Sequence, residues 1–266
     1  IAKRKGGLFK RDKQGKITNY FSADGKIFRS AVDVMYITSD NVIWVGTNVD
    51  GLYYVNPSTR KLIKVKIPSN NINDIYEDSF GLLWVGTSMR GLYSYDRKLD
   101  LVKSYTFDLN NPSSISGQSV LDIHEDKNRT LWFSTNTGLN KFNRSTGMFT
   151  HFTEKDGLPS DAVFTVLEDD GGNFWLSNRK GISKFDPRTN TFQNFDESDG
   201  LPKDGFIDYQ GIKLENGWMY FAGNTEVIGY YPESIKNNLF VPPVVITNFL
   251  KFDKPTIFQR EIELPY

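Results

Sequence analysis

The chain has 266 residues, with 32 basic and 32 acidic side chains and so no net charge; aromatics make up 14% of it and cysteine is absent. Zero net charge argues against nucleic acid as the main partner, because affinity there comes from neutralising phosphates, and the lack of cysteine removes disulfides, thiol catalysis and cysteine-ligated metals. No apolar run approaches the roughly 20 residues of a membrane-spanning helix, whereas abundant Phe and Tyr suit packed β-sheets.

Taken in order, the chain repeats itself. Ile1-Ala2-Lys3, then Gly6-Gly7-Leu8-Phe9, reads as the end of one strand and the start of the next, in a unit that lacks its innermost strand. A Trp-centred strand follows at Ile43-Trp44-Val45-Gly46-Thr47 and returns at Leu83-Trp84-Val85-Gly86-Thr87, Leu131-Trp132-Phe133-Ser134-Thr135, Phe174-Trp175-Leu176-Ser177-Asn178 and, more weakly, Trp218-Met219-Tyr220-Phe221-Ala222. Successive tryptophans lie 40, 48, 43 and 43 residues apart. After the first four comes a Gly-apolar start (Gly51-Leu52, Gly91-Leu92, Gly138-Leu139, Gly181-Ile182), and before three of them a turn, Glu77-Asp78, Glu125-Asp126 or Glu168-Asp169. The unit from Ala162 to Phe195 shows the plan: an alternating apolar strand, a Gly/Asn/Asp turn, the Trp strand, the Gly-started strand and an outer strand Thr191–Phe195. Four short strands per unit and a period of about 40–45 residues are the signature of a propeller blade.

The sequence therefore predicts an all-β protein. It holds a β-propeller segment over 1–236, with four full four-stranded blades and two partial ones, followed over 237–266 by a linker and the first strands of an immunoglobulin-like β-sandwich. The last blade, Phe206 to Tyr231, offers three strands. Pro242-Pro243 fixes an extended linker, and Val244–Phe252 reads as a strand. Bare sheet edges invite aggregation, so partial blades at both ends point to a segment of a longer protein.

The text Leu167-Glu168-Asp169-Asp170-Gly171-Gly172-Asn173-Phe174-Trp175-Leu176-Ser177-Asn178, with Lys155-Asp156-Gly157-Leu158-Pro159 and Ser198-Asp199-Gly200-Leu201-Pro202, resembles the two-component regulator propeller repeat. Pro242 to Phe249 looks like the entry to the Y_Y_Y module that follows such propellers. The resemblance implies the periplasmic sensor region of an inner-membrane hybrid histidine kinase, tethered to the membrane only through regions outside this segment. It also implies an oligosaccharide ligand, with signalling that regulates polysaccharide-utilisation genes; because such a ligand must bind two arrangements unequally and so bridge parts that move, a homodimer is expected. On that reading the segment is non-catalytic, needs no cofactor or metal and makes no direct nucleic-acid contact. A propeller-type glycoside hydrolase or lyase, or a protein-interaction scaffold, stands as the alternative.

Residue by residue, catalysis finds little support. His124 and His151 occupy different blade positions, and no nucleophile-elbow pattern is present. Asp78, Asp126 and Asp169 recur at one place in successive blades, as turn residues do. Asp78-x-x-Gly81-x-x-Trp84 is similar to the sialidase Asp box, itself a structural hairpin. Recognition is expected on the other face, where the loops between second and third strands meet the starts of the inner strands and vary from blade to blade. Six basic residues there stand against Asp50 and Glu226, which favours an anionic glycan. The candidate ligand-binding residues are Arg90, Asn136, Arg179, Lys180, Tyr209 and Gln210. Phe164, Phe206 and, less so, Trp218 are further aromatic candidates.

Overall fold

The computed structural model describes residues 7–203, 205–206, 211–223, 225–235, 250–251 and 254–255. Strands β1 (Phe9–Arg11) and β2 (Ile17–Asn19) pair as an N-terminal two-stranded sheet, and β3 (Phe21–Ser22) follows. Four full blades come next. The first holds β4 (Val32–Ile37), β5 (Ile43–Thr47), β6 (Leu52–Val55) and β7 (Lys61–Lys64). The second holds β8 (Ile72–Glu77), β9 (Leu83–Thr87), β10 (Leu92–Asp96) and β11 (Leu101–Tyr105). The third holds β12 (Val120–Glu125), β13 (Leu131–Thr135), β14 (Gly138–Asn143) and β15 (Met148–Phe152). The fourth holds β16 (Val163–Glu168), β17 (Phe174–Asn178), β18 (Gly181–Asp186) and β19 (Thr191–Phe195). A three-stranded partial blade closes the series with β20 (Gly211–Lys213), β21 (Met219–Ala222) and β22 (Val227–Tyr230). Each full blade is an antiparallel meander, and β4, β8, β12, β16 and β20 neighbour one another in that order as the inner wall. The protein is a β-propeller arc of four full and two partial blades, as the periodicity predicted.

Its core is a series of layers between blades. One layer joins Trp44 and Leu52 to Ile72, Leu83, Val85 and Tyr95 of the next blade; the following ones are built around Trp84 with Phe133 and Phe142, and Trp132 with Phe174 and Phe185. Trp84, Trp132 and Trp175 are buried to within 1% exposure, so these rings are the blade-to-blade cement and are out of reach of a sugar. The glycine that opens the third strand has a steric cause. Gly138 and Gly181 take φ 134° and 141°, and a Cβ on either would run into the carbonyl oxygen of Phe152 or Phe195 in the outer strand. The Asp-Gly-Leu-Pro segments form 3₁₀ turns, Glu154–Asp156 and Glu197–Asp199, each closed by a capping box and ended by a left-handed glycine, Gly157 or Gly200. The first of these turns delivers Leu158 into the layer between the third and fourth blades.

Two features depart from the sequence reading. Trp218 does not take the core tryptophan position. It sits in the turn before β21 and is 41% exposed, while Tyr220 occupies the equivalent place, paired with Ile212 and Gly229. The turn that ends in Trp218 closes as Leu214 N–H to Trp218 O, the counterpart of Asp169 N–H to Asn173 O, so alignment on the indole is two residues out. The other departure is β3, which pairs in parallel with β7 (Phe21 with Lys61, Ser22 with Leu62) and makes the first full blade's sheet five-stranded.

Compact units cover 1–232 and 233–266. Within the second, β23 (Leu250–Lys251) pairs antiparallel with β24 (Lys254–Pro255). The rest of the expected linker and sandwich module, 237–249, 252–253 and 256–266, lies outside the described residues.

Candidate functional site

The recurrent carboxylates are fully employed by the fold. Asp78 accepts the indole N–H of Trp84 (2.7 Å) and the backbone N–H groups of Phe80 and Leu82 (3.0 Å each). Asp126 and Asp169 repeat this with Trp132 (2.9 Å) and Trp175 (3.0 Å). The neighbouring Glu reaches to the previous blade. Glu77 accepts from Ser39 N and binds Arg97, which also holds Asp40; Glu125 accepts from Ser79 N and Oγ and binds Arg144, which also holds Asp78 at 2.7 Å. These turns stitch blade to blade, so none is a free acid–base pair.

Both histidines have structural partners too. His124 Nε2 lies 3.1 Å from Glu168 Oε2, with its ring edge-on to Phe174. His151 Nε2 donates to the carbonyl oxygen of Ser114 at 2.6 Å. No group of three or more metal-ligating side chains occurs among the described residues.

A second set of stitches runs along the inner wall. Asp74 Oδ2 accepts from Ile123 N (2.8 Å) and Asp122 Oδ2 from Val166 N (2.7 Å), so the inner-strand aspartates of the second and third full blades each tie down the next blade. Enclosure in that wall pushes the Asp122 carboxyl up from 3.8 to about 6 and, with the charge of Asp122 adding to it, raises Asp74 well above the carboxylate range. A folded-state pKa above the unfolded one means the native state holds the proton longer. Stability therefore falls as pH rises through the window from 3.8 to about 6. Thermal melts across that range should show the decline, and Asp122→Asn should flatten it; an unchanged slope would refute the assignment.

The opposite face carries the candidate site. The starts of the inner strands and the loops between second and third strands do meet there: Asn136 N–H donates to Ser119 O, and Ser119 N–H to Asn136 Oδ1, both at 3.2 Å. Between the second, third and fourth blades these segments enclose a cavity of about 430 Å³. Of the predicted residues, Asn136 and Arg179 line it, as does Phe164, whose ring is otherwise buried. Arg90 and Lys180 are exposed on neighbouring loops but do not line it. Tyr209 and Gln210 lie outside the described residues. Phe206 is wholly buried against Phe221, so it is a core residue and not a ligand platform.

Sequence reasoning placed Ser88 in one of the recognition loops but missed Ser119 and Leu121 in the lining and, above all, two acids, Glu154 and Asp161. Those acids come from the connection between outer and next inner strand, where Asp161 Oδ1 accepts from Glu154 N at 2.8 Å. The capping-box text Thr153-x-x-Asp156 was the available signal, since it fixes Glu154 in a short helical turn beside the blade junction. With them the lining holds one guanidinium and two carboxylates, so the positive excess of the loops does not extend into the cavity. Among the described residues Arg179 makes no ion pair.

Comparison with known proteins fits this architecture. Residues 66–89 and 114–137, which run through the inner and Trp strands of the second and third full blades, match the two-component regulator propeller family. Two of the blades carry two-component regulator propeller repeats. A curated relative, the histidine kinase P4 of Formosa agariphila, is 28% identical over 137 residues, which is 52% of this chain and 7% of that protein. The solved extracellular domain of a putative hybrid two-component system from B. thetaiotaomicron is 25% identical and superposes with a TM-score of 0.73, over 90% of this chain and 35% of that one. Streptogramin B lyase shares the fold at 16% identity and a TM-score of 0.61, over 85% of this chain and 76% of its own. The chain thus spans only a small part of the kinase and about a third of the solved extracellular domain. No helix among the described residues is long and apolar enough to cross a membrane.

Proposed function

We propose that this propeller arc is the recognition part of an extracytoplasmic, periplasmic sensor in a hybrid two-component histidine kinase. It binds an oligosaccharide without turning it over, in the service of polysaccharide-utilisation genes. The observation that carries this reading is the cavity on the loop face. A frame of repeated blades, stitched together by Arg-Asp pairs and Glu-to-backbone contacts, holds a lining that differs from blade to blade: Ser88, Ser119, Asn136, Glu154, Asp161 and Arg179 beside the ring of Phe164. Hydroxyls, an amide, both signs of charge and one aromatic surface suit a hydroxyl-rich ligand, with Arg179 placed to take a carboxylate or sulfate. Arg90 and Lys180, exposed on neighbouring loops, belong to the same proposal as outer contacts, and Tyr209 and Gln210, outside the described residues, remain proposed ligand contacts on their sequence position alone.

A ligand can drive signalling only if it binds two arrangements of the receptor unequally. A cavity shared by three blades and open at the face is suited to a ligand that also touches a neighbouring module or a second copy in a homodimer. The likeness to a lyase favours one rival reading, turnover at the same face. Against it, His124 and His151 are occupied elsewhere, and the carboxylates of the opposite turns are bound to indole, backbone and guanidinium groups.

Calorimetric titration with neutral and acidic oligosaccharides tests the proposal. Saturable binding that Arg179→Ala or Asn136→Ala weakens about tenfold, the size of one lost charged hydrogen bond, is expected. Binding untouched by either change would move the site elsewhere, and new reducing ends or unsaturated products would replace sensing by catalysis.

A further inference from the structure

The crossover strand β3 opens a second concavity. By pairing in parallel with β7, it leaves the sheet β1–β2 standing off the outer half of the first full blade, and a cavity of about 530 Å³ lies between them. That volume is within the usual range of ligand sites. Its lining includes the rings of Tyr20 and Phe21, the amide of Asn19 and three cations, Lys10, Arg60 and Lys61; no carboxylate lines it among the described residues. None of the three cations makes an ion pair among the described residues, and the Lys61 ammonium donates to the carbonyl oxygen of Ala23, at 3.3 Å. Asp24, on the adjoining hairpin, is held away by Ser22 Oγ and the backbone N–H and ammonium of Lys26.

Arg60 adds an independent sign. It ends the turn before the outer strand with φ 54°, and its counterparts in the next three blades, Asp100, Gly147 and Asn190, have φ 53°, 72° and 57°. Asp, Gly and Asn are the residues that tolerate this left-handed conformation; arginine adopts it at a cost. The one blade that bears that cost is the one where the guanidinium lines a cavity, and strain of this kind clusters at ligand sites.

We infer that the crevice between the N-terminal sheet and the first full blade is a second saccharide site, one for a sugar bearing a carboxylate or sulfate. Tyr20 and Phe21 offer apolar faces to the ring C–H groups, Arg60 a fork for the anion, and Lys10 and Lys61 supporting charge.

The test uses the intact chain with three probes: tetragalacturonate, a sulfated carrageenan tetrasaccharide and neutral xylotetraose. One acidic probe should bind measurably tighter than xylotetraose and weaken as salt rises. Arg60→Gly should lower its affinity at least about tenfold. The same change suits the backbone, so the melting temperature should hold or rise, which separates lost binding from lost folding. Arg179→Ala should leave the share of binding that Arg60→Gly removes unchanged. Equal binding of xylotetraose, full affinity in Arg60→Gly, no binding of either acidic probe, or equally tight binding of a tetraglutamate peptide would each overturn the inference. Sensitivity to Arg179→Ala with indifference to Arg60→Gly would sink this site and leave the loop-face cavity standing.

Discussion

Replacing Asp78 with alanine is expected to cost about 3–5 kcal/mol of stability, the range for breaking a buried, hydrogen-bonded ion pair. One carboxylate there serves the Trp84 indole, two backbone N–H groups of its own turn and the Arg144 guanidinium of the next blade. Its side chain is wholly buried, and that of Arg144 is 28% exposed, so water can replace little of what is lost. The orphaned indole N–H and the half-orphaned guanidinium would both carry desolvation penalties. Asp78→Asn keeps an acceptor for the indole and should cost distinctly less. The first full blade limits how much of this belongs to the indole alone. There Thr38 stands where Asp78 stands in the next blade, and Trp44 Nε1 is buried without a partner, yet the blade forms. That blade keeps its Arg97 clamp to Asp40 and Glu77, so the charge network accounts for the larger share. Urea unfolding of the two Asp78 variants measures the split; a loss below about 1 kcal/mol in Asp78→Ala would mean the turn is ornamental.

Gly181→Ala is expected to cost about 3 kcal/mol, more than a left-handed backbone alone explains. The added methyl would meet the carbonyl oxygen of Phe195, and the outer strand β19 would have to peel from β18 to admit it. Gly200→Ala is the control. Gly200 also has positive φ, at 92°, but nothing lies within 4 Å of its Cβ position, so only the conformational term of about 1 kcal/mol remains. Equal losses in the two variants would show that strand contact contributes nothing.

Much of the architecture was legible because it is local and repeated. Each blade closes through hairpins a few residues long, so Trp spacing, Gly starts and Glu-Asp turns sufficed to give the blade count, the strand order and the structural role of the recurrent acids. Part of the candidate cavity's lining was legible for the same reason: Asn136 and Arg179 sit in loops of constant position and variable content. Trp218 misled because residue type was used as the ruler, whereas the backbone hydrogen bonds of the turn set the register and put Tyr220, half-buried, at the equivalent strand position. Glu154 and Asp161 escaped because their segment reads as a repeat signature, and nothing local says that it leans over the junction of two blades.

The sequence by itself determined a radial stack of four-stranded sheets cemented by buried indoles, since hairpin pairing and apolar alternation are decided within about forty residues. Only the tertiary structure decided that Asp74 and Asp122 tie one inner strand to the next, that β3 crosses to β7, and which side chains share a cavity. Those outcomes depend on how far one rigid sheet is turned and shifted against another, a quantity set by the summed packing of whole layers and written in no single repeat.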